Sequence, residues 1–304
     1  MRILLTGRNG QVGWELQRAL APLGEVIATT RSELDLGVTD SIVQAVRKVR
    51  PDVIVNAAAY TAVDRAESEA EIALRINGIA PGILAEEAQR LGALLVHYST
   101  DYVFDGTKDG AYVEEDTPAP LSEYGRSKLS GEQAIRATHA VHYIFRTSWV
   151  YAARGSNFVR TILRLARERK ELRIVHDQIG APTWARAIAD MTAHVLSGGA
   201  GRARERAALY HFTAGGAVSW YEFGQAILEA AQGACPETNI PRIIPIPTSE
   251  YPLPARRPCN SRLDTSRLAS AFGVVPPGWQ DMFKLCMREI VSAHPSPFEP
   301  ATAP

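Results

Sequence analysis

Residues 2–16 read RILLTGRNGQVGWEL: a short apolar run, three glycines spaced three apart, then a helical pattern. The apolar run Arg2–Thr6 is a buried strand stopped by Gly7. Trp14, Leu16, Leu20 and Leu23 have the spacing of an amphipathic helix that ends at Gly24. Gly7 and Gly10 let the chain turn tightly and let a pyrophosphate approach the backbone amides, and Gly13 allows the helix to pack closely on the strand. The helix N-terminus that follows favours negative charge. The spacing is G-x-x-G-x-x-G rather than the commoner G-x-G-x-x-G. Its position between a first strand and a first helix is what makes it a dinucleotide loop.

The rest of the chain continues the alternation. Glu25–Thr29, Asp52–Ala59, Ala93–Ser99 and Val141–Tyr151 read as strands. Helical patterns fall at Ser41–Val49, with Asp40 as N-cap, at Ala66–Ile76, at Ile83–Leu91 before Gly92, and on the segment carrying Tyr124 and Lys128. The expected fold is α/β, a Rossmann-type doubly wound parallel sheet over residues 1–150, with a smaller, mostly C-terminal α/β substrate lobe over 151–293. Segments near 175–215 are expected to return to the main domain, and 294–304 to form a disordered tail.

Composition narrows the function. The 304 residues are 46% hydrophobic and 22% charged, with zero formal net charge. Such a surface offers nothing to nucleic acid or to an anionic membrane. The start of the chain lacks a signal-peptide layout and no apolar run can span a bilayer, so a cytoplasmic protein is expected. Cys235, Cys259 and Cys286 suit reduced thiols, and the seven histidines form no metal-ligand cluster.

The second strand ends in Thr29-Thr30-Arg31-Ser32, with no carboxylate until Glu33. An NAD site places an acid there for the ribose hydroxyls. Thr30 and Arg31 instead suit a 2′-phosphate and favour NADPH over NADH, although Arg31 also reads as a solvated surface residue.

Tyr124 and Lys128, one of only five lysines, stand four apart in EYGRSKLSGE. On a helix they share a face. A nearby ammonium would bring a phenol toward neutral pH, ready to protonate an alkoxide formed from a ketone. The stretch HYSTDYVFDG lies at the carboxyl end of the fourth strand, where such sheets place ligands. There Thr100, in preference to Ser99, offers a hydroxyl to a carbonyl oxygen, and Asp101 and Tyr102 add polar groups.

Together these features resemble the extended short-chain dehydrogenase/reductase superfamily, and more narrowly the dTDP-4-dehydrorhamnose reductase family. The blocks GQVGWELQRAL, VNAAAYTAVDRAESE, HYSTDYVFDG, YGRSKLSGE, FRTSWVY, DQIGAPTWA and PARRPCNSRLD carry the resemblance from residue 7 to about 264. It implies a catalytic trio of Thr100, Tyr124 and Lys128. It implies cofactor contacts from Gln11, Val12, Asp35, Leu36, Ala59, Tyr60, Thr61, Tyr98, Tyr124 and Lys128. For substrate it implies Thr100, Asp101 and Trp149, the last of which reads equally as a core residue. Arg256, Arg257 and Asn260 are expected to face the sugar nucleotide. The implied reaction is NADPH-dependent reduction of a nucleotide-linked 4-keto sugar, supplying rhamnose for surface polysaccharides. The alternatives are an epimerase or dehydratase of the same superfamily, or a non-enzymatic regulatory subunit. Either a monomer or a homodimer is compatible. Some family members bind Mg²⁺ through acidic side chains between subunits. Glu15 is present here, but Arg186 stands where an acid is expected, which opposes metal binding.

Overall fold

The structure, a computed structural model, describes residues 1–199, 203, 205–237 and 240–293. The expected tail, 294–304, and part of the glycine-rich loop at 197–207 lie outside the described residues.

Six strands form one all-parallel sheet: β1 (Arg2–Thr6), β2 (Glu25–Thr29), β3 (Val53–Asn56), β4 (Leu94–Thr100), β5 (His142–Thr147) and β6 (Ala208–His211). Their spatial order is β2-β1-β3-β4-β5-β6, so the winding reverses between β1 and β3. Period-two alternation explains why both faces are apolar. Ile3, Leu5, Val53 and Val55 pack with the helices Gln11–Leu20 and Ala185–Ser197. Leu4, Ile54 and Leu95 face the other way, with the helices Thr39–Val49, Ala80–Leu91 and Glu123–Ala137. In a parallel sheet all the carboxyl ends gather along one edge, and the β1/β3 reversal is where such folds place their ligands.

Several elements differ from the sequence reading. The third strand stops at Asn56, since Ala57–Ala59 must bend past Gly7. Val38 occupies the N-cap of the second helix without a side-chain bond, and Asp40 lies in the first turn, where its charge still opposes the helix dipole favourably. The helix expected at 66–76 breaks into Val63–Ala66, Ala70–Leu74 and a π-turn at Arg75–Ile79. The run 141–151 divides into β5 and the short strand Val150–Tyr151, because Trp149 adopts a left-handed backbone, φ 48°.

A second core gathers Tyr151, Val159, Ile162, Trp184, Phe223, Ile227, Trp279 and Phe283. These belong to the later part of the chain, except that β6 and the helix Ala185–Ser197 join the main sheet.

Candidate active site

The glycine loop closes on itself with no room for side chains. A Cβ on Gly13 would stand 2.1 Å from the Gly7 carbonyl oxygen, and one on Gly7 would stand 2.9 Å from the Ala58 backbone. Gly7 also adopts φ +73°. The helix begins at Gln11, so the first-turn N–H groups of Gln11, Val12 and Gly13 are those that no helical carbonyl reaches. Those amides and the close-packed glycines fit a dinucleotide pyrophosphate. The late lobe reaches this helix end: Asn157 Nδ2 donates to Gln11 Oε1 (2.9 Å), and the Arg154 guanidinium lies 3.4 Å over the Trp14 ring.

The end of β2 departs from the sequence reading. Glu33 folds back, and its Oε2 accepts from the Thr30 N–H (2.7 Å) and the Thr30 hydroxyl (2.9 Å). Those bonds, the backbone one foremost, lower its pKa. A carboxylate therefore does stand at the strand end, beside Arg8 at 3.8 Å. Arg31 points to Asp35 (3.3 Å) and is largely solvated, while Leu36 is buried. Farther along the edge, the Tyr60 backbone is held at both ends by the Asn77 side chain, Tyr60 N to Oδ1 and Nδ2 to Tyr60 O, each 2.9 Å. Asn77 sits in the π-turn and also donates to Ser127 (3.1 Å). Ala59 and Thr61, which flank Tyr60, are exposed.

Thr100 ends β4, and Tyr124 lies in the first turn of the helix that Ser122 caps. Burial pushes the Tyr124 phenol up to about 12; the Thr100 hydroxyl acts in the opposite sense and the Asp101 charge adds to the rise. The Thr100 hydroxyl donates to Asp101 Oδ1 (3.0 Å). Asp101 is itself pushed up to about 6, chiefly by burial. The Tyr102 ring meets that of Tyr124 edge-on, with centroids 5.7 Å apart.

Lys128 corrects a second expectation. Its amine is buried and donates to the Tyr98 carbonyl (2.6 Å), with His97 Nε2 at 3.2 Å. Among the described residues these are its bonding partners, and the phenol is not. Burial brings the amine down to about 8. The expected lowering of the phenol by an adjacent ammonium is therefore absent from this arrangement. Tyr98 contributes its carbonyl; its ring lies on the opposite sheet face and its hydroxyl bonds to Thr192 (2.7 Å).

On the rim, the Arg257 guanidinium grips Asp64 (3.1 and 2.8 Å) and holds that carboxyl below its usual range. Arg256 is exposed. Asn260 does not face outward: its amide donates to the carbonyls of Lys108 (2.6 Å) and Gly110 (2.8 Å), and its oxygen accepts from Arg262. Both functions of the amide are spent on fixing loops. Trp149 is half-exposed and stacks on Trp220 at 3.5 Å and 7°. Gly180 makes room for it, since a Cβ there would lie 2.6 Å from Cε2. A left-handed, half-exposed tryptophan beside the sheet's ligand edge is a strained feature of the kind found at binding sites.

Glu15, the acid that remains for a metal, is already paired with Arg186, the residue expected to oppose one. The Arg186 guanidinium bonds to Glu15 (2.9 and 3.2 Å) and to Glu289 (2.7 Å). An internal cation between the two carboxylates opposes a second cation at this place. Among the described residues no cluster of three metal-ligating side chains occurs, and no helix is long and apolar enough to cross a membrane.

The chain is similar along most of its length to known proteins. The family profile described as the RmlD substrate binding domain matches residues 1–292. The chain is 53% identical to dTDP-4-dehydrorhamnose reductase of Burkholderia thailandensis over 301 residues, covering 96% of this chain and 100% of that one. With the Escherichia coli K12 protein of the same name it shares 48% identity over 294 residues, covering 95% of this chain and 98% of the relative. Among solved structures, the dTDP-4-dehydrorhamnose reductase of Clostridium acetobutylicum superposes with TM-score 0.88 at 35% identity, covering 96% and 100% of the two chains. The Bacillus anthracis reductase, solved in complex with NADP, gives 0.86 at 35% identity, covering 95% and 99%. A glycine-built dinucleotide loop, a Tyr-x-x-x-Lys helix beside the end of β4 and this agreement along the whole chain place the protein in the dTDP-4-dehydrorhamnose reductase family.

Proposed function

We propose that the chain reduces the C4 ketone of dTDP-4-dehydro-β-L-rhamnose to give dTDP-β-L-rhamnose. The observation that carries this reading is the meeting of Thr100 and Tyr124 at the ligand edge, on a dinucleotide-binding sheet. The nicotinamide cofactor, when bound, supplies the hydride. The chain's own residues manage position and protons. The amides of Gln11–Gly13 hold the pyrophosphate, and Thr100 with Asp101 orients the ketone oxygen. Tyr124, whose phenol is pushed up to about 12, keeps its proton at neutral pH. It can still donate downhill, because an alkoxide is far more basic than a phenolate. Trp149, Arg256 and Arg257 line the side from which a sugar nucleotide would enter, and the guanidinium of Arg257 suits its phosphates.

On cofactor choice, Thr30 and Arg31 support NADPH, but the folded-back Glu33 also offers the ribose-binding carboxylate that NADH uses. We infer a site that accepts both, with Glu33 opposing the 2′-phosphate. Loss of NADPH absorbance with the 4-keto sugar nucleotide tests the function. Wild type consumes one NADPH per sugar, and Tyr124→Phe loses roughly two orders of magnitude or more in rate. Equal rates would remove Tyr124 from the role of acid. Absence of net NADPH consumption would point to an epimerase or dehydratase.

A further inference from the structure

Thr6, Asn56 and His97 stand opposite one another in register on β1, β3 and β4. All three are buried, and they continue the row of Leu4, Ile54 and Leu95 on the face covered by the helix Glu123–Ala137. A polar row in an apolar layer is costly unless every group is partnered. Here each is. The Ala58 N–H donates to Thr6 Oγ1 (3.2 Å), and Thr6 donates to Asn56 Oδ1 (2.7 Å). Asn56 Nδ2 meets His97 Nδ1 (3.0 Å), and His97 Nε2 meets Lys128 Nζ (3.2 Å).

Counting protons sets the sense of the chain. Thr6 Oγ1 accepts from Ala58 and gives its own proton to the Asn56 oxygen. The Asn56 N–H then goes to His97 Nδ1. A neutral imidazole with its lone pair on Nδ1 carries its proton on Nε2. That N–H points at Lys128 Nζ, and only an unprotonated amine has a lone pair to receive it. Charging Lys128 in place would force the bonds back to Thr6 to reverse.

The surroundings agree. From β4 the amine faces His97 and the Tyr98 carbonyl, and Asn56 of β3 stands behind the ring. On its own helix, Glu132 is committed to Arg146 of β5 (2.9 and 2.6 Å) and to Ser99 (2.5 Å). Among the described residues no carboxylate pairs with the amine. Burial lowers Lys128 to about 8 against the raising charge of Glu132, and burial foremost holds His97 well below its ordinary value.

We propose that His97 is a positioning residue which parks Lys128 as a neutral amine against β4, and that cofactor binding draws this amine toward the ribose with uptake of one solvent proton on Nζ. The proposal rests on the reductase reading above. The imidazole keeps its own proton throughout, and the new N–H bond forms at the amine lone pair.

Calorimetric titration of the full chain with NADPH at pH 8, in two buffers of different ionisation enthalpy, counts the protons. Wild type is expected to take up about half a proton per site. His97→Leu removes the N–H that favours the neutral amine, so uptake falls to less than roughly half the wild-type value. His97→Gln, whose side-chain N–H stands where Nε2–H stands, restores it. Equal uptake by wild type and His97→Leu, with only a lower melting temperature, would make His97 a packing residue and overturn the proposal. No uptake in wild type that binds NADPH would overturn it too. Failure of wild type to bind NADPH at all would instead reject the reductase reading on which it rests.

Discussion

Arg146 grips Glu132 through two parallel hydrogen bonds, 2.9 and 2.6 Å, with both side chains 2% exposed or less. The pair ties β5 to the helix that carries Tyr124 and Lys128, two turns after Tyr124. Ser99 adds a bond from β4, so the helix is clamped to two strands at the level of the site.

Breaking this clamp leaves a buried charge unpaired. Glu132→Gln is expected to cost about 3 kcal/mol or more of folding stability. Chemical denaturation, read by far-ultraviolet circular dichroism, measures this directly. A loss below about 1 kcal/mol would mean that Arg146 finds another partner on unfolding of the local structure.

Glu33 gives a prediction about cofactor choice. Its carboxylate occupies the Thr30 N–H and hydroxyl that a 2′-phosphate would use. Glu33→Ala removes a like charge and frees those donors. The ratio of kcat/KM for NADPH over NADH is expected to rise roughly five- to tenfold. An unchanged ratio would show that the adenosine ribose does not approach β2 at this point.

Asp101 trades stability for function. Its carboxyl ionises at about 6 in the fold against 3.8 as a free side chain, chiefly through burial. Below 3.8 it is protonated in both folded and unfolded chains and carries no penalty. Between 3.8 and 6 the unfolded chain releases its proton while the folded chain keeps it, so the fold loses up to about 3 kcal/mol, the full amount being reached above 6. Asp101→Asn is expected to raise the melting temperature at pH 8 and to leave it unchanged near pH 3.5, while turnover falls. A melting curve equally shifted at both pH values would disprove the burial account.

Much of the architecture was legible from local patterns. Glycine spacing, period-two strands and 3.6-residue helices act over a few residues, so the dinucleotide loop and β1, β2 and β4 are found where the sequence places them. Tyr124 and Thr100 were legible for the same reason: a helix face and a strand end put each at the ligand edge. His97 carried a weak signal, a lone imidazole inside the apolar run LLVHYST, whose partner becomes visible only when Asn56 is paired beside it. Asn77 carried none, since its role comes from a π-turn that interrupts a helical pattern.

By itself, then, the sequence determined the order of elements, the phosphate-binding turn and which side chains stand at the carboxyl edge, because those depend on backbone period and steric freedom. Only the tertiary structure decided where the long, flexible polar side chains end. Glu33 turned back to Thr30, Asn260 spent its amide on loops, Arg186 filled the gap between Glu15 and Glu289, and Lys128 bonded to β4 instead of the phenol. A buried polar atom takes whichever partner the fold brings within about 3 Å, and chain separations of up to 171 residues among these pairs put that choice beyond any local pattern.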